Sequence, residues 1–260
     1  MPHADSLGDS MIVNYASYTD IGKVRENNED YHIVIPFEEH NEFAAAVADG
    51  MGGHLFGEIA SKTAIDTFEK KIRDRRFKNC INIKEYLYNI CKISNKEILE
   101  FSKKHDVLSG MGTTLDAIYI KDDRIHIIHI GDSRIYTIYG DKIEMITKDH
   151  SYVQQLLDKG DITFDEFKNH PNKNVITKAL GITDNPEPDI FEMQYNFCGY
   201  MLLCSDGLTN MLDDNNILNI INQDTDLDTK VRNLGEKANE NGGTDNITIV
   251  LIKTEKKAEE

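Results

Sequence analysis

Four short segments, each built on an aspartate, carry the residue types that could do chemistry: Asp49-Gly50-Met51-Gly52-Gly53-His54, Gly131-Asp132-Ser133-Arg134, Ser205-Asp206-Gly207-Leu208 and Asp245-Asn246. A carboxylate beside glycine or another turn-forming residue is a hard oxygen ligand presented where the backbone can bend sharply around an ion. Four such stations along one chain point to a polynuclear metal site. Carboxylates with almost no cysteine or clustered histidine beside them select magnesium or manganese over zinc. Two such ions about 3.5–4 Å apart can share a water, lower its pKa and hold it in line with a phosphoryl centre. That chemistry needs no covalent nucleophile, but it needs a cation for the non-bridging phosphate oxygens. A planar guanidinium binds them with two parallel hydrogen bonds, and Arg25, followed by Asn27-Asn28-Glu29-Asp30, is the candidate.

These stations have to be held by something rigid. The apolar runs Phe43 to Ala48, Ile125 to Ile130 and Tyr200 to Cys204 read as buried strands that each end at an aspartate, whereas Asp245 precedes its strand, Ile247 to Ile252. An antiparallel pairing would bring the start of that last strand beside the finish of another. Further strands are expected at Ile12 to Ser17, Tyr31 to Ile35, Thr114 to Ile120 and Arg134 to Tyr139. Lys121-Asp122-Asp123-Arg124 and Gly140-Asp141 read as hairpin turns that make the later strands a meander. Apolar residues at helical spacing occur from Leu55 to Ile72, from Leu87 to Phe101 and from Leu227 to Ala238. Strands in blocks and helices in blocks predict an α+β fold, with two packed antiparallel sheets covered by helix pairs in a four-layer α-β-β-α sandwich. The less regular segment from about 149 to 180, with short helical patterns ending at Gly160 and around Phe164 and Phe167, is either a substrate-selecting flap or a packed connection.

At 260 residues with 40% hydrophobic content, the chain can bury a substantial core. Without a Pro- or Ser-rich divider, residues 11–254 are expected to form one domain between a leader or mobile extension (1–10) and a charged tail (255–260). A formal net charge of −16 disfavours nucleic acid and anionic membranes as partners. No apolar stretch reaches the roughly 20 residues that span a bilayer, and no signal-peptide pattern opens the chain, so a cytoplasmic location is expected. Cys80, Cys91, Cys198 and Cys204 form no close pair and read as reduced core residues.

Together these pieces resemble the metal-dependent protein serine/threonine phosphatases of the PPM class (type 2C), in their bacterial form. The resemblance rests on Thr19-Asp20-Ile21-Gly22, Arg25 with Asn28-Glu29-Asp30, Ala48 to His54 with Gly57-Glu58, Met111-Gly112-Thr113-Thr114, and His129 to Arg134. It continues through Asp149-His150-Ser151, Asn174 to Thr177 with Ala179-Leu180-Gly181, Ser205 to Leu208, and Gly243 to Thr248, in the family's order. Any single Asp-Gly is worthless as a motif, whereas the ordered set is specific. The resemblance implies that Asp49 bridges two central Mn2+ or Mg2+ ions and that Gly50 offers its carbonyl to one of them. Asp206 and Asp245 would complete that pair, with Glu29 and Asp30 acting directly or through water. Asp132 with Asp206 would bind a third, weaker ion, and Arg25 would grip the substrate phosphate. Direct attack of a water or hydroxide bridging the two ions would release phosphate from phosphoserine and phosphothreonine in proteins, opposing a bacterial serine/threonine kinase. The acidic surface favours locally basic substrate segments, and a monomer is the default.

Each assignment has a rival. Aspartates before glycine also serve as turn or capping residues; Asp132 could pair with Arg134; Glu29 and Asp30 could be a solvated acidic pair. Asn246 is expected to orient Asp245 or its turn, and His129 and His150 to be structural. Some family members carry a histidine directly after the Asp-Gly pair, where this chain has Met51 and places His54 three positions later. His54 is therefore a candidate acid for the departing alkoxide, with a structural role or proton donation by a bound water as alternatives. For the whole chain, the rival is a catalytically silent module of the same fold. A calcium-binding module lacks its compact D-x-D-x-D-G loop here, and an aspartyl-nucleophile enzyme lacks its DxD after a strand.

Overall fold

The computed structural model describes residues 11–37, 42–52, 55–74, 82–105, 110–121, 124–168, 170–194 and 199–256. Gly53, His54, Cys80 and Cys198 lie outside them, as do the expected leader, the end of the tail and the turn residues Asp122 and Asp123.

One sheet is organised around Glu42–Met51 (β3). It pairs with Asp30–Pro36 (β2) on one side, and with Gly112–Thr113 (β4) and Leu115–Lys121 (β5) on the other. Arg124–Ile130 (β6) and Asp189–Gln194 (β9) extend the order to β2-β3-β5-β6-β9. The second sheet contains Met11–Asp20 (β1), Arg134–Tyr139 (β7), Lys142–Met145 (β8), Gly199–Cys204 (β10) and Ile247–Lys256 (β11), in the order β1-β11-β10-β7-β8. Every pairing in both sheets is antiparallel. Leu55–Ile72 (α1) and Ile83–Lys104 (α2) cover the first sheet. Asp206–Thr209 (α5), Asp214–Ile221 (α6) and Leu227–Glu240 (α7) cover the second. Between β8 and β9 lie Tyr152–Lys159 (α3) and Phe164–Lys168 (α4).

The side chains of β3 explain the layering. Phe43, Ala45 and Val47 face the other sheet, while Ala44, Ala46 and Ala48 face Ala60 and Ala64 of α1. With both faces buried, the strand reads as an unbroken apolar run rather than an alternating one, and alanine on both surfaces lets the helix lie close. Strand β11 follows the same rule: Ile247, Ile249 and Leu251 point to the helices, Val250 and Ile252 to the sheet interface. The expected four-layer α-β-β-α sandwich is the observed architecture.

Register then gathers the stations. Asp30 and Asp49 are Cα partners across β2 and β3. Strand β10 runs antiparallel to β11 with Cys204 opposite Ile249, so Asp206, just after one strand, and Asp245, just before the other, share one end of the second sheet. The expected meander needs correction. The β5–β6 and β7–β8 hairpins are present, but the chain changes sheets between β6 and β7, at Gly131-Asp132-Ser133. Gly131 has φ +120, and a Cβ there would collide with the side chain of Thr114, so only glycine fits this crossing. The crossing puts Asp132 at the seam between the sheets rather than in a simple hairpin. Helix α2 starts ahead of its apolar stripe because Asn82 accepts a hydrogen bond from the Glu85 N–H and caps it. Cys91 and Cys204 are buried thiols, as expected.

Candidate metal centre

The aspartates converge from both sheets. Asp30, 6% exposed, accepts a 2.7 Å hydrogen bond on Oδ2 from Ser205 Oγ, which links the start of β2 to the end of β10. Ser205 Oγ also accepts the Thr248 N–H at 3.0 Å, so one hydroxyl spans β10, β11 and the Asp30 carboxyl. Asp206 is held on Oδ2 by Asn210 Nδ2 at 2.9 Å, four residues along the same helical turn. Asp245 accepts its neighbour's N–H on Oδ1 at 2.8 Å and the Arg25 guanidinium on Oδ2 at 2.6 Å. Arg25 is half exposed and so stands at the rim, where burial works against its charge and the bond to Asp245 more than offsets that, raising its pKa.

Asn246 orients the turn, as expected. Its Oδ1 accepts the Glu29 N–H at 2.8 Å, and its Nδ2 donates to the Ile21 and Asn27 carbonyls at 2.9 Å each. Glu29 and Asp30 are both buried, which removes the solvated-pair reading. Gly50 donates its N–H to the Glu29 carbonyl at 3.1 Å and packs so tightly that a Cβ would strike the Gly57 carbonyl. Asp132 does not pair with Arg134: the guanidinium grips Asp149 through Nε (2.9 Å) and Nη2 (2.7 Å).

Two residues outside the expected site set connect its parts. Thr114 Oγ1 accepts the Asp49 N–H at 2.8 Å and shares a second hydrogen bond, 2.8 Å long, with Ser133 Oγ. Thr113 Oγ1 donates to the Asp49 carbonyl at 3.0 Å. The Met111-Gly112-Thr113-Thr114 motif thus ties the Asp49 station to the Asp132 crossing. Both threonines and Ser205 were visible as parts of motifs, but Asn210 carried no signal beyond closeness to Asp206.

His129 and His150 brace the same crossing. His129 presents Nδ1 to Asp116 Oδ1 at 2.7 Å and Nε2 to the Lys148 carbonyl at 2.8 Å. Burial opposes its charge, Asp116 more than offsets this, and its pKa is pushed up to about 9. His150 accepts the Gly131 N–H on Nδ1 at 3.2 Å, and its backbone N–H donates to the Gly131 carbonyl at 2.7 Å. Burial and the neighbouring His129 lower its pKa to about 4. Both are structural, as expected.

Among the described residues, no three His, Cys, Asp or Glu side chains meet tightly enough to form a finished cage. The aspartates nonetheless share one field. Burial raises the pKa of Asp49 well above the usual carboxylate range, and Asp30, Asp206, Asp132 and Asp245 add to it. Burial, opposed by Ser205 but reinforced by Asp206 and Asp245, takes Asp30 to about 7. Burial with Asp245 takes Asp206 to about 6. Oδ1 of Asp30, of Asp132 and of Asp206 is buried with no hydrogen-bond partner. Buried polar atoms normally find one, and hard oxygens in mutual repulsion are what a divalent cation satisfies. The residues fit such ions.

Two outcomes follow. Thr114→Val removes the hydroxyl but keeps the shape, strands the Asp49 N–H, and is expected to lower unfolding free energy by about 1–3 kcal/mol in urea melts. Thr114→Ser, which keeps the hydroxyl, should lose less. Second, an acid whose folded pKa is raised binds its proton more tightly folded than unfolded, so in metal-stripped protein the Asp30 contribution to stability falls as pH rises from about 4 toward 7. A cation competes with those protons, so the gain in Tm from Mn2+ should grow between pH 5.5 and 7.5. It should reach about 5–10 °C at a hundredfold excess over Kd. Comparing stripped with loaded protein at each pH cancels the histidines; a gain independent of pH would refute the carboxylate origin.

Comparison with known proteins agrees with this geometry. The model of the family described as Protein phosphatase 2C matches residues 22–227. Protein phosphatase PhpP of Streptococcus pneumoniae is 38% identical over 236 residues, spanning 90% of this chain and 94% of that protein. The S. agalactiae serine/threonine phosphatase structure superimposes with a TM-score of 0.87 at 34% identity, covering 93% of this chain and 99% of that one. The catalytic domain of the serine/threonine protein phosphatase PstP, solved in complex with two manganese ions, gives 0.80 at 33% identity over 94% and 99% of the two chains. With two-thirds or more of its length matched on both grounds, the chain belongs to the protein phosphatase 2C family.

Proposed function

We propose that the chain is a metal-dependent protein serine/threonine phosphatase whose centre is built by Asp49, the Gly50 carbonyl, Asp206 and Asp245 around two divalent cations. Mn2+ and Mg2+ are the ions this donor set suits, and Glu29 and Asp30 complete the shell directly or through water. When bound, such ions supply Lewis acidity and a water activated near neutral pH. The protein's own part is to position and to neutralise. Ser205, Asn210 and Asn246 hold the carboxyls of Asp30 and Asp206 and the turn of Asp245 in place. Arg25, beside Asp245, orients the phosphoryl group through its non-bridging oxygens. Asp132 with Asp206 is suited to a third ion. His54 is the side chain we assign to protonating the departing serine or threonine oxygen.

The single observation that carries this reading is that Asp30, Asp132, Asp206 and Asp245, from four separate motifs, all act on the Asp49 carboxyl. Structural turn aspartates would have no reason to repel one another in a common field. Its substrates are phosphorylated proteins, and we assign it the counterpart role to a serine/threonine kinase in the cytoplasm. Residues 11–254 act as one catalytic unit in which 149–180 form a flap. Among the described residues, no helix is long and apolar enough to cross a membrane. A silent module of this fold is disfavoured because Arg25 and all the expected metal carboxylates are retained.

The test is phosphate release from a phosphothreonine peptide by metal-stripped protein, with Mn2+, Mg2+, Ca2+ or no ion restored. Turnover is expected with Mn2+ or Mg2+ only, and Asp206→Asn should lower kcat at least 100-fold, about 2.7 kcal/mol of barrier. A folded wild-type protein that is inert with every ion would establish the silent module instead.

A further inference from the structure

The site opens sideways into a groove of 880 Å³ that the hydrolytic chemistry does not need. It is lined by residues of α3 and α4, of the run from Asp206 to Asn216 at the start of α6, and of strands β7 and β8. The groove is continuous with the metal centre, because Asp132 and Asp206 line both. Whatever occupies it is therefore attached to, or lies beside, the phosphate being removed.

Its lining is of two kinds. Leu157, Phe164 and Phe167 from α3 and α4 and Met145 from β8 give it an apolar part. Phe164 is 59% exposed and Met145 37%, and the two phenyl rings stack with centroids 6.1 Å apart and planes within 5°. On the same groove Asp213 and Asp214 stand exposed at the start of α6, where Asp213 Oδ1 accepts the Asn216 N–H and caps the helix while Asp214 is the next residue along. The basic groups on the groove do not balance them: Arg134 is committed to Asp149 through two hydrogen bonds, which leaves Lys173. Once Asp132 and Asp206 are occupied with cations, the remaining acid is Asp213 and Asp214.

We propose that this groove is a specificity subsite for the substrate segment flanking the phosphoresidue. It takes a bulky aliphatic or aromatic side chain against Phe164 and Leu157, with a lysine or arginine facing Asp213 and Asp214. The proposal rests on the phosphatase reading above and deepens it: the general preference for basic substrates expected from net charge becomes a local one, set by two aspartates. An extended chain advances about 3.3–3.6 Å per residue, so a few residues beside the phosphoresidue fill the groove. Burying one large apolar side chain there is worth about tenfold in binding when half of its surface is covered.

The test uses Mn2+-loaded full-length protein and three phosphothreonine peptides alike except in the flank: leucine with arginine, alanine with arginine, and leucine with glutamate. p-Nitrophenyl phosphate, which has no flank, is the control. Wild-type protein is expected to prefer the first peptide by about tenfold in kcat/KM, mostly through KM. Phe164→Ala should erase its advantage over the alanine peptide, and Asp214→Asn should reduce its advantage over the glutamate peptide. Both variants should turn over p-nitrophenyl phosphate within about twofold of wild type, since neither residue belongs to the centre. Equal kcat/KM for the three peptides with the control intact would overturn the subsite alone. So would variants that slow the control as much as the peptides. Absence of metal-dependent turnover of any substrate would overturn the phosphatase reading and the subsite with it.

Discussion

Mutual repulsion among buried carboxylates is the constraint around which this molecule is arranged. Asp49 is acted on by Asp30, Asp206, Asp132 and Asp245 at once, and three of those residues carry a buried oxygen with no partner among the described residues. Such a grouping opposes folding: each charge is desolvated and each disfavours its neighbours' ionisation. It persists because the scaffold holds it. The four-layer sandwich supplies two rigid sheets whose strand ends meet at one edge, with hydrophobic cores on both sides of each sheet.

The hydrogen bonds around the aspartates do specific work in that setting. Ser205 joins the Asp30 carboxyl to β10 and β11, and Asn246 joins the Asp245 turn to the segments before Glu29. Thr114 joins Asp49 to the crossing at Ser133. Each is a short uncharged side chain that satisfies the backbone or one carboxyl oxygen, and Oδ1 of Asp30, of Asp132 and of Asp206 is left for a cation. The crossing itself is braced from behind by the Arg134–Asp149 and His129–Asp116 pairs, which place the root of the α3–α4 segment beside Asp132. The proposed metal centre and the proposed subsite thus share an anchor.

Much of this was legible in the sequence for physical reasons. Strands buried on both faces, such as β3 and β11, announce themselves as continuous apolar runs, and glycines that admit no Cβ sit beside the aspartates they serve. Other parts were hidden. Strands β8 and β9 are edge strands with one face toward solvent, and Lys142–Met145 or Asp189–Gln194 are too short and mixed to stand out. The crossing at Gly131 looked like a hairpin because a turn's residues do not say which sheet the next strand joins. That Arg134 hydrogen-bonds Asp149 rather than Asp132 depends on residues fifteen positions apart and on no local pattern.

The central claim is that these aspartates form one cation-binding centre rather than a set of separate turns. Crystals soaked in Mn2+ and measured for anomalous scattering at the manganese edge test it directly. The expected result is two strong peaks enclosed by Asp49, Asp206 and Asp245, with a weaker third, if present, beside Asp132. Manganese scattered over the acidic surface, with no peak touching Asp49, would contradict it.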